Sequence, residues 1–179
     1  MMAENLREKR KWLLMASLPA FAVVVLTVYF THVLFAFVTL PADDPSSRLA
    51  FVVECLFGPA CTLWIGVQFA GRRFLYRDAI DGTPTPANHG LEINLRYNLN
   101  TLEQLVLAAF AWLNFAMIAD RDELVFIPAM ASLFVIGRAA FWIGYLWRPV
   151  ARAFGMVLTA LPTMAVYVLL LVYWIGKMT

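Results

Sequence analysis

Five long apolar segments constrain the fold of this chain more than any other feature. They are approximately Trp12–Val38, Leu49–Ala70, Leu99–Ala119, Leu124–Trp147 and Ala153–Ile175. Each can cross the hydrocarbon core of a membrane, which is about 30 Å thick and takes about 20 helical residues to span. Periodicity cannot separate a strand from a buried helix in such runs, but their length favours a helix. The chain is 62% hydrophobic, against about 45–50% for soluble domains, and is predicted to be an all-α integral membrane protein.

The basic residues predict how the chain is oriented in the membrane. Eleven of the 14 lie on the side of the N-terminus, when Arg96 and Arg138 are assigned to the helix ends that they adjoin. The other three are Arg48, Arg121 and Lys177. Since Lys and Arg are enriched on the cytoplasmic side, we expect a cytoplasmic N-terminus and an external C-terminus. The expected location is the plasma membrane of a bacterium.

A polar stripe runs into the third apolar segment. Arg96, Asn100 and Glu103 are spaced four and three residues apart, so on a helix they point within about 60° of one another. Charged and amide groups in a membrane helix are costly unless they line a polar cavity, pair with one another or bind a ligand. This first stripe, with Glu92 one turn earlier and Gln104 beside it, is therefore a candidate binding surface.

A second stripe lies along the fourth segment and covers an arc of about 80° if the helix is uninterrupted. Its members are Arg138, Phe141, Tyr145, Arg148 and Arg152. Pro149 is expected to end the helix, because proline lacks a backbone donor and clashes with the preceding turn. Arg152 would then lie just beyond the helix end.

Two interpretations of these stripes are open. Guanidinium groups suit carboxylates, while amide and carboxylate groups complement peptide and ammonium groups, so the stripes together suit a zwitterionic or polyanionic small molecule. Alternatively, Arg96, Glu103 and Arg138 form ion pairs between helices, since membrane helices use polar residues to associate. The basic residues follow the membrane topology and form no nucleic-acid surface.

Two strings within the stripes resemble a known family. The strings are Arg-Tyr-Asn-Leu-Asn-Thr-Leu-Glu-Gln at 96–104 and Gly-Arg-Ala-Ala-Phe-Trp-Ile-Gly-Tyr at 137–145. They are similar to the signatures of the MAPEG family, the membrane-associated proteins in eicosanoid and glutathione metabolism. The resemblance covers about residues 50–175. It implies a four-helix MAPEG-like bundle at 49–179, a homotrimer, and glutathione bound between protomers near the cytoplasmic face.

The resemblance leaves residues 1–48 outside the four-helix bundle. This part would comprise a basic N-terminal segment, one additional transmembrane helix and an external loop. The first apolar segment is too long for a signal-peptide core and is expected to be retained.

The resemblance also implies roles for individual residues. Those matching the family's glutathione-holding positions are Arg72, Arg73, Arg96, Asn100, Glu103, Arg138 and Tyr145. Arg152 matches the arginine that stabilises the glutathione thiolate, and Arg148 is its rival because Pro149 intervenes. The chain departs from the family at Ile93, Gln104 and Phe141, which removes possible ligand contacts and argues against eicosanoid synthesis.

The predicted function is that of a glutathione-dependent transferase or peroxidase. Its partners would be membrane lipids, other copies of itself and an apolar electrophile or lipid hydroperoxide arriving from the bilayer. The alternative is a non-enzymatic membrane protein, such as a small-molecule binder, a transporter subunit or a structural oligomer. Serine-nucleophile motifs and phosphate-binding glycine loops are absent from the sequence, which gives proteolytic and nucleotide-driven roles no support.

Overall fold

The computed structural model describes residues 2–75 and 89–178, and this part of the chain is helical throughout its regular structure. Its α-helices are α1 (Met2–Tyr29), α2 (Thr31–Leu34), α3 (Pro45–Gly71), α4 (His89–Ile118), α5 (Phe126–Trp147) and α6 (Ala153–Met178). Short 3₁₀ turns at Arg72–Leu75 and Arg121–Val125 follow α3 and precede α5. All but α2 are long and apolar enough to cross a membrane. The prediction of an all-α membrane protein is confirmed.

The first membrane helix ends earlier than predicted. It ends at Tyr29 and does not extend to Val38, because the backbone of Phe30 leaves the helical conformation (φ −96°, ψ 10°) and only the single turn α2 follows. Val38 and Leu40 instead pack against the core of the bundle. These two residues lengthen the apolar segment of the sequence. They lie beyond the end of the helix, where they are partly buried against the bundle.

One end of the bundle, here called the acidic end, is held by specific polar contacts. Asp44 caps α3 by accepting a hydrogen bond from the Ser47 backbone N–H at 2.9 Å. The guanidinium of Arg48 donates to the carbonyls of Ala116 and Ala119 at 2.7 and 2.8 Å, which satisfies the free carbonyls that end α4. These contacts join the start of α3 to the end of α4.

The cap at Asp44 depends on pH. Hydrogen bonds from Ser46 and Ser47 lower the pKa of the Asp44 carboxyl from 3.8 to about 2. Because the folded state holds this pKa below its usual value, the cap stabilises the fold fully above pH 3.8 and is lost as the pH falls towards 2.

The opposite end, here called the basic end, is where α1, α4 and α6 begin and α3 and α5 end. Near it, α5 and α6 approach closely through small residues, as membrane helices commonly do. A Cβ at Gly155 would collide with the carbonyl oxygen of Gly137 and the backbone nitrogen of Phe141. This close approach brings the α6 side chain of Thr159 to the buried face of α5.

Helix α1 packs on the outside of this pair. Its Ala20 and Val24 are buried together with Leu133 of α5 and Leu158 of α6. The basic N-terminal residues lie on the same helix, because α1 begins well before its apolar part. The position of those basic residues is therefore set by the packing of α1.

Candidate functional site

Arg138 is a buried polar residue of α5 that contacts side chains on two other helices. It is fully buried (0% exposed), and it donates hydrogen bonds to Asn100 Oδ1 at 2.8 Å and Thr159 Oγ1 at 2.6 Å. Its guanidinium also lies 4.7 Å from the ring centroid of Phe141, within range of a cation–π interaction. Its Nε has no acceptor in the described part of the chain. Arg138 thus links the first stripe, on α4, to α6 by hydrogen bonds to two neutral side chains, Asn100 and Thr159.

Arg96 and Tyr145 join the two stripes nearer the basic end. The Arg96 guanidinium donates to Tyr145 Oη at 3.1 Å and forms an ion pair with Glu92, one turn away on α4. The Arg152 guanidinium lies 4.8 Å from the ring centroid of Tyr145. Arg152 itself stands between α5 and α6, as the position of Pro149 predicted.

A cavity of about 630 Å³ opens beside these residues. Asn100, Phe141 and Arg152 line it from the two stripes, and Lys9 and Arg10 line it from α1. Its volume is within the range of about 300–1,000 Å³ that is usual for small-molecule sites. The bundle therefore offers a space in which cationic groups and an amide face the same ligand.

Two other predicted residues, Glu103 and Arg72, do not line this cavity. Glu103 is exposed on α4 and has no hydrogen-bond or ion-pair partner among the described residues. Arg72 is exposed, with its guanidinium 4.6 Å from the Phe69 ring centroid. Arg73 belongs to the 3₁₀ turn after α3, but its side chain lies outside the described part of the structure.

Arg148, the rival of Arg152, faces a different neighbour. Its guanidinium lies 4.7 Å from the ring centroid of Trp12 on α1. It lines a second cavity, of about 740 Å³, between α1 and the end of α5. Within the single chain, Arg148 therefore contacts a ring on α1, whereas Arg152 contacts the ring of Tyr145.

The ion pairs between helices that the alternative interpretation predicted are not seen within the described residues. Arg96 pairs with Glu92 on its own helix, and Arg138 bonds to an amide and a hydroxyl. The stripes are nevertheless joined between helices, by hydrogen bonds from arginine to neutral oxygen atoms. Charged groups on the exposed face of α4 are left available to other partners.

Sequence reasoning missed several contributors. Thr159 holds Arg138 from α6, and Asn94 accepts a hydrogen bond from the Trp142 indole at 3.1 Å. In the sequence, Lys9 and Arg10 indicate only the membrane topology. The sequence does contain a signal for a polar contact on this helix, because Thr159 and Thr163 lie one turn apart in an otherwise apolar segment.

Comparison with known proteins agrees with the resemblance seen in the two strings. The chain is 27% identical over 158 residues to Transmembrane protein 79 of mouse (Mus musculus), covering 85% of this chain and 40% of that protein. It is 26% identical over 135 residues to Transmembrane protein 79 of cow (Bos taurus), covering 73% and 34%. The chain thus spans well under half the length of these relatives. No solved structure matches it. The sequence model of the MAPEG family matches residues 49–172, and the chain therefore belongs to the MAPEG family.

Proposed function

We propose that this protein is a glutathione-dependent transferase or peroxidase acting on apolar electrophiles or lipid hydroperoxides in the membrane. The observation that supports this most is the convergence of the two stripes at the basic end. There, Arg96 contacts Tyr145, Asn100 is held by Arg138, and Arg152 lies over the Tyr145 ring beside a cavity. Membership of the MAPEG family, which includes glutathione transferases, adds to this support.

The residues present fit a zwitterionic tripeptide. The exposed guanidinium of Arg96 can bind a carboxylate through two parallel hydrogen bonds. The Asn100 amide can pair with a peptide group, and its orientation is fixed by Arg138. Glu103 can hold an ammonium group, since its carboxylate has no partner among the described residues of its own chain.

Arg152 has the role of stabilising the reactive sulfur. A thiol reacts as the thiolate, and a nearby cation lowers its pKa and increases the reactive fraction. Arg152 suits this role because its guanidinium contacts aromatic rings and no carboxylate in the described residues, so its charge is not neutralised. In a transfer reaction, the sulfur electron pair forms the new bond to carbon while the leaving group takes the electrons of the broken bond. The thiol proton passes to solvent.

Assembly as a homotrimer accounts for the exposed polar face of α4. Glu103 points away from its own bundle within a membrane-spanning helix, where an unpartnered charge is costly. A neighbouring protomer would cover it and complete the glutathione site. Native mass spectrometry in mild detergent is expected to show a trimer, and a purely monomeric spectrum would contradict this assembly.

The proposed orientation places the basic end in the cytoplasm. Cysteines introduced at positions 85 and 179 are expected to be labelled in sealed cells from the inside and the outside, respectively. Labelling of position 85 from outside would reverse the assignment. Location in a bacterial plasma membrane stays a prediction, and both relatives reported above are mammalian.

Glutathione binding by the purified protein tests the proposed function. Calorimetric titration in neutral detergent is expected to give saturable binding that Arg96→Gln weakens roughly ten- to hundredfold. This change corresponds to the loss of a charge-assisted contact of about 1.5–3 kcal/mol. Thermal unfolding should show a parallel loss of stabilisation by glutathione.

Arg121→Gln is the matched control for this titration. It makes the same change at the acidic end, where Arg121 donates to the Pro41 carbonyl, and it should leave glutathione affinity unaltered. If the wild type binds no glutathione, the enzymatic function is wrong and the non-enzymatic alternative takes its place. Equal weakening by both variants would remove Arg96 from the site.

A further inference from the structure

The additional helix α1 forms one wall of the cavity at the basic end. Lys9 and Arg10 line that cavity opposite Asn100 and Arg152, which belong to the site proposed above for glutathione. Both α1 residues lie outside the part of the chain that matches the family model, which begins at residue 49. The cavity therefore joins a wall shared with the family to a wall formed by this N-terminal segment.

Packing holds the α1 wall in place. Ala20 and Val24 anchor the middle of the helix against α5 and α6. Near the start of its apolar part, the Trp12 ring lies 4.7 Å from the guanidinium of Arg148. Lys9 and Arg10 precede Trp12 by less than one helical turn, so the same contact keeps these two cations beside the cavity.

The charges on the two walls of the site differ. Helix α4 presents both signs, because Arg96 and Glu103 are both exposed on it. Among the described residues that line the cavity, Lys9, Arg10 and Arg152 are cationic and none is acidic. None of these three cations forms an ion pair in the described part of the chain. An anionic group can therefore bind at the cavity without displacing a carboxylate.

The charges of glutathione are distributed in a similarly uneven way. Its γ-glutamyl end carries an ammonium and a carboxylate on one carbon, so that end needs both a cation and an anion from the protein. Its glycine end carries a carboxylate alone, which needs only cations. Only a few bonds separate the glycine carboxylate from the cysteine sulfur, so the groups that bind them must lie near each other. The cavity wall meets both requirements of the glycine end, since its cations include Arg152.

We infer that Lys9 and Arg10 of α1 bind the glycine carboxylate of glutathione, while Arg152 stabilises the thiolate. This inference rests on the proposed function, and it leaves the γ-glutamyl end to Arg96 and Glu103 on α4. The additional helix is then part of the binding site, and its two cations add a contact to those of the four-helix part.

Comparison of glutathione with its glycine monoethyl ester tests this role, with affinities measured on the full chain in neutral detergent. The ester lacks only the charge of the glycine carboxylate, and the wild type should bind it about tenfold more weakly than glutathione. Lys9→Gln/Arg10→Gln should bind glutathione about tenfold more weakly and should no longer distinguish it from the ester. Equal affinity of the wild type for both ligands would overturn the inference. So would a full preference retained by the double variant, since other residues would then hold this carboxylate.

Two further variants of α1 control for its net charge and for its structure. Arg7→Gln/Lys11→Gln removes the same charge from neighbouring positions that do not line the cavity. At an ionic strength of about 0.15 M, which screens exposed charges over about 8 Å, it should bind both ligands within about twofold of the wild type. Lys9→Arg/Arg10→Lys retains both charges and should retain the preference for glutathione. Equal loss in both neutralised variants would show general electrostatic attraction and contradict a specific contact.

The thiol titration separates this role from that of Arg152 and from the proposed function. In Lys9→Gln/Arg10→Gln saturated with glutathione, the thiol pKa should stay close to the wild-type value. A raised pKa with an unaltered preference over the ester would place the two cations at the sulfur and overturn the inference. Loss of the preference in a protein whose bound glutathione forms no thiolate would support the carboxylate contact while the enzymatic function fails. Equal binding of both ligands with normal thiolate formation would refute the contact alone, and a wild type that binds neither ligand would refute both.

Discussion

Replacement of Arg152 by alanine is expected to raise the pKa of the bound glutathione thiol towards about 8.5, the value of a free thiol. In the wild type, the cation lowers this pKa, so that thiolate is present at neutral pH. Each unit of pKa corresponds to about a tenfold change in the protonation equilibrium, and we expect a loss of thiolate of about tenfold or more. Glutathione affinity should be largely retained, because Arg96 and Glu103 hold the other charges of the tripeptide.

Thiolate absorbance in the ultraviolet, followed against pH, measures this effect directly. Arg96→Ala and Glu103→Ala should show the opposite pattern, with weaker calorimetric binding and an unaltered thiol titration once the site is saturated. Arg148→Ala is the critical control, since its guanidinium faces Trp12 and the second cavity. If Arg148→Ala raises the thiol pKa while Arg152→Ala does not, the role belongs to Arg148.

Replacement of Arg138 by alanine is expected to cost about 2–5 kcal/mol of stability. The side chain is fully buried, so its removal leaves a cavity and deprives Asn100 and Thr159 of their partner. Unfolding in detergent, followed by loss of helical signal, measures this change.

Arg138→Met separates the structural role from the positioning role. Methionine retains much of the volume and removes a buried charge, and replacing buried charges with apolar residues is often neutral or stabilising. Stability should therefore be largely retained, while glutathione affinity falls roughly tenfold because Asn100 is no longer held. Wild-type affinity in a stable Arg138→Met protein would show that Arg138 only supports packing.

Helical periodicity predicted much of the candidate site, because it fixes the direction of each side chain on its own helix. It placed Arg96 with Asn100, and Arg138 with Tyr145, and the structure joins each stripe to the other. It could not select the partner of Arg138, since that depends on how each helix is rotated and which helix lies opposite. The contact with Thr159 depends on the close approach of α5 and α6 at Gly155.

The N-terminal part was the least predictable. The apolar run to Val38 has the composition of a membrane helix, and composition does not reveal that Val38 and Leu40 pack on the protein after the helix has ended. Lys9 and Arg10 are placed where basic residues flank any membrane helix. Their position at a cavity follows from the packing of α1 on α5 and α6, which leaves no periodic pattern in the sequence.

Titration of the wild-type protein with glutathione at pH 7, about 1.5 units below the pKa of a free thiol, tests the proposed activity most directly. Thiolate absorbance is expected to rise and saturate with the same affinity as the calorimetric signal. Binding without thiolate, or neither signal in a folded protein, would contradict a glutathione-dependent enzyme.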